Sequence, residues 1–329
     1  MKTKNYFFLL AMNVLVFTGC SYSEDSLEPS GVKTSYQVPQ GIHDYDQVIV
    51  NFYQKYGSYL LYKFSDKDAY WTPSGWVYGK ATTESDAGQT GYAVTPADEN
   101  YVGQQLDLIN KAWFSRYNDK MLSELLPVKI LLCSEIDSMK TTYVFSPSFH
   151  MEFAPVPVGA RCNYDNIAVS YGNSNVVNAN EPTVRYLASK IARAWTEYMM
   201  TYKITPTAEF SSSVDYSSSS SIRKLYAPKD CCAAGITSVG YNATALNDWK
   251  HFMIMLMCYS YQYLTEDPGD ISSWSSWSSD YYWTESTDYH GILNAKKDTK
   301  GLLMKRYKTV RQFFIDNYDI DLQTVGNQL

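Results

Sequence analysis

Apolar residues recur at intervals of three and four along residues 183–200, TVRYLASKIARAWTEYMM, where Val184, Leu187, Ala188, Ile191, Trp195, Tyr198 and Met199 share a periodicity. That spacing gathers them on one face and predicts a helix with a buried stripe. Pro182 suits the first turn, where its missing N–H costs nothing, and Glu181 suits the positive end of the helix dipole. Further helices are predicted over residues 43–56, 101–126, 246–264 and 293–318, and strands over 59–64, 128–133, 142–145 and 166–171. The pattern describes an α+β chain: an N-terminal α/β lobe over 41–210 and a helical C-terminal lobe over 211–329 of the same domain. Between them the Ser-rich stretch 211–221 reads as a mobile loop. No internal repeat is present.

On the long helix Ser189 and Arg193 lie one turn apart and share a face. Taken alone, the helix reads as an ordinary core helix. Other segments give it a context, in order along the chain. Phe52-Tyr53-Gln54-Lys55-Tyr56-Gly57 precedes Tyr59-Leu60-Leu61-Tyr62-Lys63-Phe64, and residues 101–127 precede Val128-Lys129-Ile130-Leu131-Leu132. Gly235-Ile236-Thr237-Ser238-Val239-Gly240-Tyr241 is followed by Asn247-Asp248-Trp249-Lys250-His251-Phe252, and residues 307–322 read YKTVRQFFIDNYDIDL. Together these resemble a family of Bacteroidetes surface lipoproteins described as zinc-binding metallopeptidases, found beside starch-utilisation-type outer-membrane transport systems.

The resemblance implies a zincin-like mixed sheet, an active-site-type helix and zinc chemistry. Its helix would carry His-Glu-x-x-His, two imidazoles for the metal and a carboxylate to polarise water. Here the corresponding residues are Ser189-Lys190-Ile191-Ala192-Arg193. Protonated lysine and arginine offer a metal no lone pair. The strand at 166–171 takes the place of the zincin's substrate-aligning strand. Asp248 takes the family's downstream acidic position, and a buried carboxylate deprived of a metal needs another counter-charge. An ion pair from Arg193, or failing that Lys190, to Asp248 is therefore expected; the local alternative is that Asp248 caps its own helix. The four histidines, His43, His150, His251 and His290, are at least 39 residues apart, so no HExxH exists in any register. His43 opens a helix, His150 and His290 fall in loops, and His251 lies at a core edge. No metal or cofactor is expected.

Lys2 and Lys4 precede an apolar run over 7–17 and then Thr18-Gly19-Cys20. This is the pattern of a signal peptide over 1–19, too short to be a membrane span, and its end resembles a lipobox with Cys20 as the acylated residue. A lipidated tether over 20–40 follows, whose Glu24-Asp25 tract resembles a Bacteroidetes surface-export signal. An outer-membrane protein anchored at Cys20 and facing outward is expected. Without Lys2 and Lys4 the balance of 28 basic to 34 acidic residues becomes 26 to 34, and no basic stripe is present, which argues against a nucleic-acid partner. Cys133, Cys162, Cys231, Cys232 and Cys258 form no CxxC pair. Cys133 and Cys258 sit in apolar runs and read as buried thiols, and a bridge from Cys162 to Cys231 or Cys232 is open to an oxidising exterior.

Aromatic residues make up 16% of the chain and cluster in SSWSSWSSDYYW, residues 272–283. Trp274, Trp277 and Trp283 read either as a platform for sugar rings or peptide side chains or, more often for tryptophan, as packing of a long loop. Tyr70, Trp71, Trp76 and Tyr78 form a second group with the same two readings. Three functions follow: a catalytically inactive peptidase-like lipoprotein that binds a glycan or peptide or supports an outer-membrane uptake complex; an active zinc peptidase with an unrecognised site; or a structural surface protein.

Overall fold

The computed structural model describes residues 36–77, 91–277 and 287–329. Residues 1–19, read from the sequence as a signal peptide, and Cys20, Tyr78 and Trp283 lie outside them. Along the chain run α1 (Asp44–Tyr56), β1 (Tyr59–Leu61), α2 (Asp66–Tyr70), β2 (Trp71–Thr72), β3 (Gly75–Trp76), β4 (Tyr92–Pro96), α3 (Val102–Ala112), α4 (Asp119–Leu125) and β5 (Lys129–Val144). There follow β6 (His150–Pro157), β7 (Ala160–Cys162), β8 (Asn166–Val169), α5 (Glu181–Tyr202), α6 (Ala208–Ser212), α7 (Pro228–Ala233), α8 (Ala245–Cys258), α9 (Tyr261–Thr265), α10 (Leu302–Tyr318) and α11 (Leu322–Gly326). The α+β class is as the pattern predicts.

Local chemistry sets the helix ends. His43 and Asp46 form a reciprocal capping box at the start of α1, and Gly57 ends it in the left-handed region at φ 70°. Asn180 caps α5, accepting from the Thr183 N–H at 3.1 Å, with Pro182 in the first turn.

The six-stranded sheet is mixed. β1, β5 and β8 run parallel, and β7 lies antiparallel outside β8. The strand before the long helix is therefore inside the sheet, and β7 takes the edge. β5 is longer than predicted: the strands expected at 128–133 and 142–145 are its two ends. Its first half pairs with β1 and β8, and its second half pairs antiparallel with β4 and β6. The middle escaped notice because only alternate residues there, Ile136 and Ser138, turn inward, as a half-covered strand requires.

Three predicted helices are shorter than expected. The one over 101–126 breaks where Trp113 turns fully into the core, and Asn118 caps α4 by accepting from Met121 N–H. The one over 246–264 breaks at Tyr259, and Ser260 caps α9. The last starts only at Leu302, after Gly301 in the left-handed region.

One hydrophobic core joins the sheet to the helices on both sides of residue 210. Trp195 of α5 lies at its centre, its indole N–H donating to Leu125 O at 2.9 Å and its ring meeting Trp113 and Tyr117 edge to face. The Ser-rich stretch, expected to be a mobile loop, is instead held in place: its first two residues end α6, and Ser213 and Tyr216 are bonded to Arg306, as described below. The five cysteines among the described residues are free thiols, so the Cys162 bridge is not formed. Among the described residues no helix is long and apolar enough to cross a membrane.

Candidate functional site

α5 buries its polar residues along with its apolar stripe: Ser189, Lys190 and Arg193 are all buried. Arg193 donates from Nη2 to the Tyr259 hydroxyl at 2.9 Å and lies 5.9 Å from the centre of that ring. The Lys190 ammonium is 5.3 Å from the Tyr186 ring.

Asp248, in the first turn of α8, is wholly buried. It does not cap its helix; Thr244 does, accepting from the Asn247 N–H. Its Oδ1 accepts from the Thr237 N–H at 3.0 Å and the Thr237 hydroxyl at 2.8 Å, and its Oδ2 accepts from the Tyr216 hydroxyl at 2.5 Å and from Arg306 Nη2 at 3.2 Å. The expected pair with Arg193 or Lys190 is therefore replaced by one with Arg306. Arg193 engages Tyr259, at the opposite end of α8 from Asp248, about 16 Å of helix axis away.

Arg306 is held from several sides. Its guanidinium donates to the Phe210 carbonyl, the Ser213 hydroxyl and the Tyr216 hydroxyl, and stacks 3.8 Å above the Phe210 ring. Burial, then the Asp248 charge, pushes the Tyr216 hydroxyl well above its ordinary value, so it stays a donor.

The Thr237 hydroxyl gives its single proton to Asp248, so His251 Nδ1, 2.8 Å from the same oxygen, must be the donor there. His251 Nε2 is then the basic nitrogen. Burial holds this imidazole below its usual range, with the charges of Arg193 and Lys250 adding to the effect and Asp248 opposing it. The other histidines lie elsewhere, beside Asp46, Glu152 and Glu266 respectively.

These groups do not fit zinc. The α5 positions carry a hydroxyl and two long cations, and the Asp248 oxygens are taken by four donors. Among the described residues no three His, Cys, Asp or Glu side chains converge as a metal site would require.

Trp274 and Trp277 are half-buried against the core. Trp274 donates to Asp288 at 2.8 Å, carries the Lys297 ammonium 4.0 Å from its ring centre and meets Trp277 edge to face at 5.3 Å. In the second aromatic group Tyr70 is buried, whereas Trp71 and Trp76 pair across the β2–β3 hairpin and are exposed.

Arg306, Tyr216, Thr237 and Tyr259 were not read as site residues. Arg306 had a signal: it sits in register with Leu303, Tyr307, Val310 and Phe314 on the buried stripe of α10. A charge in that position requires a buried counter-charge.

No family model matches the chain, and no curated protein matches it. Among solved structures, the chain is similar to a "putative zinc-binding metallo-peptidase" from Bacteroides caccae, with a TM-score of 0.45 and 9% identity over 86% of this chain and 89% of that one.

Proposed function

We propose that this chain is a catalytically inactive, metallopeptidase-like surface lipoprotein that binds a glycan or peptide, in support of nutrient uptake at the outer membrane. The observation that carries the reading is the capture of Asp248 by Arg306, Tyr216 and Thr237. The one carboxylate that the sequence offered for a metal is the anchor of a closed polar cluster, and α5 presents cations where ligands would be needed. Cys20 supplies the membrane attachment; Cys20→Ala should move the protein from the membrane fraction to the soluble one.

The test is elemental analysis of the purified chain after metal stripping and reloading with zinc. Less than about 0.1 equivalent is expected, because a retained structural or catalytic zinc binds far too tightly to be lost in washing. One tightly held zinc per chain, with cleavage of casein, would restore the peptidase.

A second reading, a structural surface protein with no small ligand, is favoured by the use made of Trp274, whose indole N–H and ring are both engaged within the fold. Alanine at Trp274 and Trp277 separates the two. Lost folding assigns these rings to packing; retained folding with lost ligand binding makes them a platform, together with Trp283.

A further inference from the structure

β5 changes partners midway. Up to Leu132 it pairs with β8, and from Asp137 onward the same side pairs with β6. Where β8 and β6 diverge, a cavity of about 290 Å³ opens, lined by Glu135, Asp137, Tyr171, Asn173, Asn175 and Tyr186 among others. The cavity lies just past the carboxyl end of β8, and ligand sites are concavities of this kind in which a few polar groups converge.

The backbone beneath the cavity is fixed on all sides. The buried Gln105 amide donates to the carbonyls of Cys133, Val169 and Ser170. Gly172 N–H donates to Cys133 O at 2.8 Å, Gly172 O accepts from Asp98 N–H at 2.9 Å, and Asn173 Nδ2 donates to Ser134 O at 2.7 Å. Against this frame Tyr171 is held at φ 77°, a left-handed conformation that an aromatic residue adopts only when its surroundings enforce it. The Tyr171 side chain is half-buried, its hydroxyl has no hydrogen-bond partner among the described residues, and neither carboxylate of Glu135 and Asp137 has an ion-pair partner there. Strain stored in a rigid frame, on an aromatic side chain that lines a cavity beside unused polar groups, is the arrangement of a preorganised binding site.

We propose that this cavity binds a neutral saccharide of one or two rings. Glu135 and Asp137 accept from vicinal hydroxyls, Asn175 and the Tyr171 hydroxyl both donate and accept, and the ring of Tyr171 offers a flat amphipathic surface to the C–H face of a sugar. An extended peptide is less well served. Residues 135–137 of β5 are bonded to β4 on one side, and on the other Asp137 pairs with β6 and Ile136 O accepts from Val158 N–H, so no strand edge is open there for main-chain pairing. The volume suits one or two sugar rings.

This inference rests on the reading of the chain as a binding protein and names its site and ligand class. The experiment is saturation-transfer NMR and calorimetry on the chain carrying Cys20→Ser. The probes are glucose, galactose, mannose, N-acetylglucosamine, maltose, cellobiose and an uncharged seven-residue peptide. At least one saccharide should bind, and Tyr171→Gly and Asp137→Asn should each weaken it at least tenfold with the thermal midpoint little changed. Tyr171→Gly keeps the backbone conformation available, so loss of binding there is not loss of folding; Asp137→Asn gives an independent check. Saccharide binding that both variants retain overturns the site while leaving the binding-protein reading intact. Binding of the peptide alone overturns the ligand class. No binding to any probe overturns both.

Discussion

Arg306 and Asp248 meet at 3.2 Å with both side chains almost wholly withdrawn from water, one on the last long helix and the other in the first turn of α8. The pair fastens α10 to α8 and draws residues 213–216 onto both. Breaking a buried pair from one side leaves an uncompensated charge, which costs roughly 3–5 kcal/mol. Arg306→Met should therefore destabilise the chain by about that amount, and the double variant Arg306→Met with Asp248→Leu by clearly less than the sum of the single changes. Denaturant unfolding of the four proteins measures the coupling. Strict additivity would mean that the two charges do not support one another.

His251 gives the cluster a pH dependence with a defined sign. Its folded-state pKa lies below the unfolded value of 6.5, because burial and the charges of Arg193 and Lys250 disfavour the cation. The unfolded chain then binds more protons in this range, so stability is full above about pH 6.5 and falls as pH drops toward the folded pKa. His251→Gln should flatten the change in thermal midpoint between pH 7 and pH 5 relative to the parent chain. An unchanged slope would show that His251 is not the group responsible.

Elements closed by their own neighbours were legible in the sequence, and elements decided by distant contacts were not. α1 was read to within a residue because His43, Asp46 and Gly57 define its ends locally. α5 was read from its stripe and Pro182. The break at Trp113 could not be read, because what stops the helix is the demand of Trp195, Phe114 and the core for that ring. The site divides in the same way. That α5 carries a hydroxyl and two cations at 189, 190 and 193 is plain in the sequence, and the burial of Asp248 was foreseen. Its partner was misassigned because sequence spacing does not say which of several buried cations faces one carboxylate. Arg306 is 58 residues from Asp248.

The free thiols are open to a direct check. Cys133, Cys231, Cys232 and Cys258 are buried, and burial pushes the Cys162 thiol up to about 12. A thiolate fraction that small reacts slowly. Native protein carrying Cys20→Ser should show almost no reaction with Ellman's reagent within minutes, and all five described thiols should react in guanidinium without reductant. Three reactive thiols would point to a disulfide.

Gly172 lies in the turn that carries Tyr171, and its hydrogen cannot be replaced. A Cβ there would stand 2.5 Å from Ala97 Cβ, 2.7 Å from Gln105 Oε1 and 3.0 Å from Cys133 O, all in a frame with little freedom to yield. Gly172→Ala should cost about 1–3 kcal/mol as overpacking does, and should raise hydrogen exchange at the amides of residues 170–173. Unchanged protection would mean that the turn is softer than its hydrogen bonds imply.

Tyr171 separates backbone strain from side-chain packing. At φ 77° any residue with a Cβ carries a penalty on the order of 1–2 kcal/mol that glycine does not. Both Tyr171→Ala and Tyr171→Gly lose the contacts of a half-buried ring, but only glycine also releases the strain. Glycine should therefore be the more stable of the two by about 1 kcal/mol, the reverse of the order at ordinary positions, where alanine restricts the unfolded chain and stabilises. Thermal unfolding of the two variants side by side is sufficient, since the lost ring cancels between them. Alanine equal to or above glycine would show that the left-handed conformation is not kept in solution, and with it the preorganised tyrosine at the cavity would be lost.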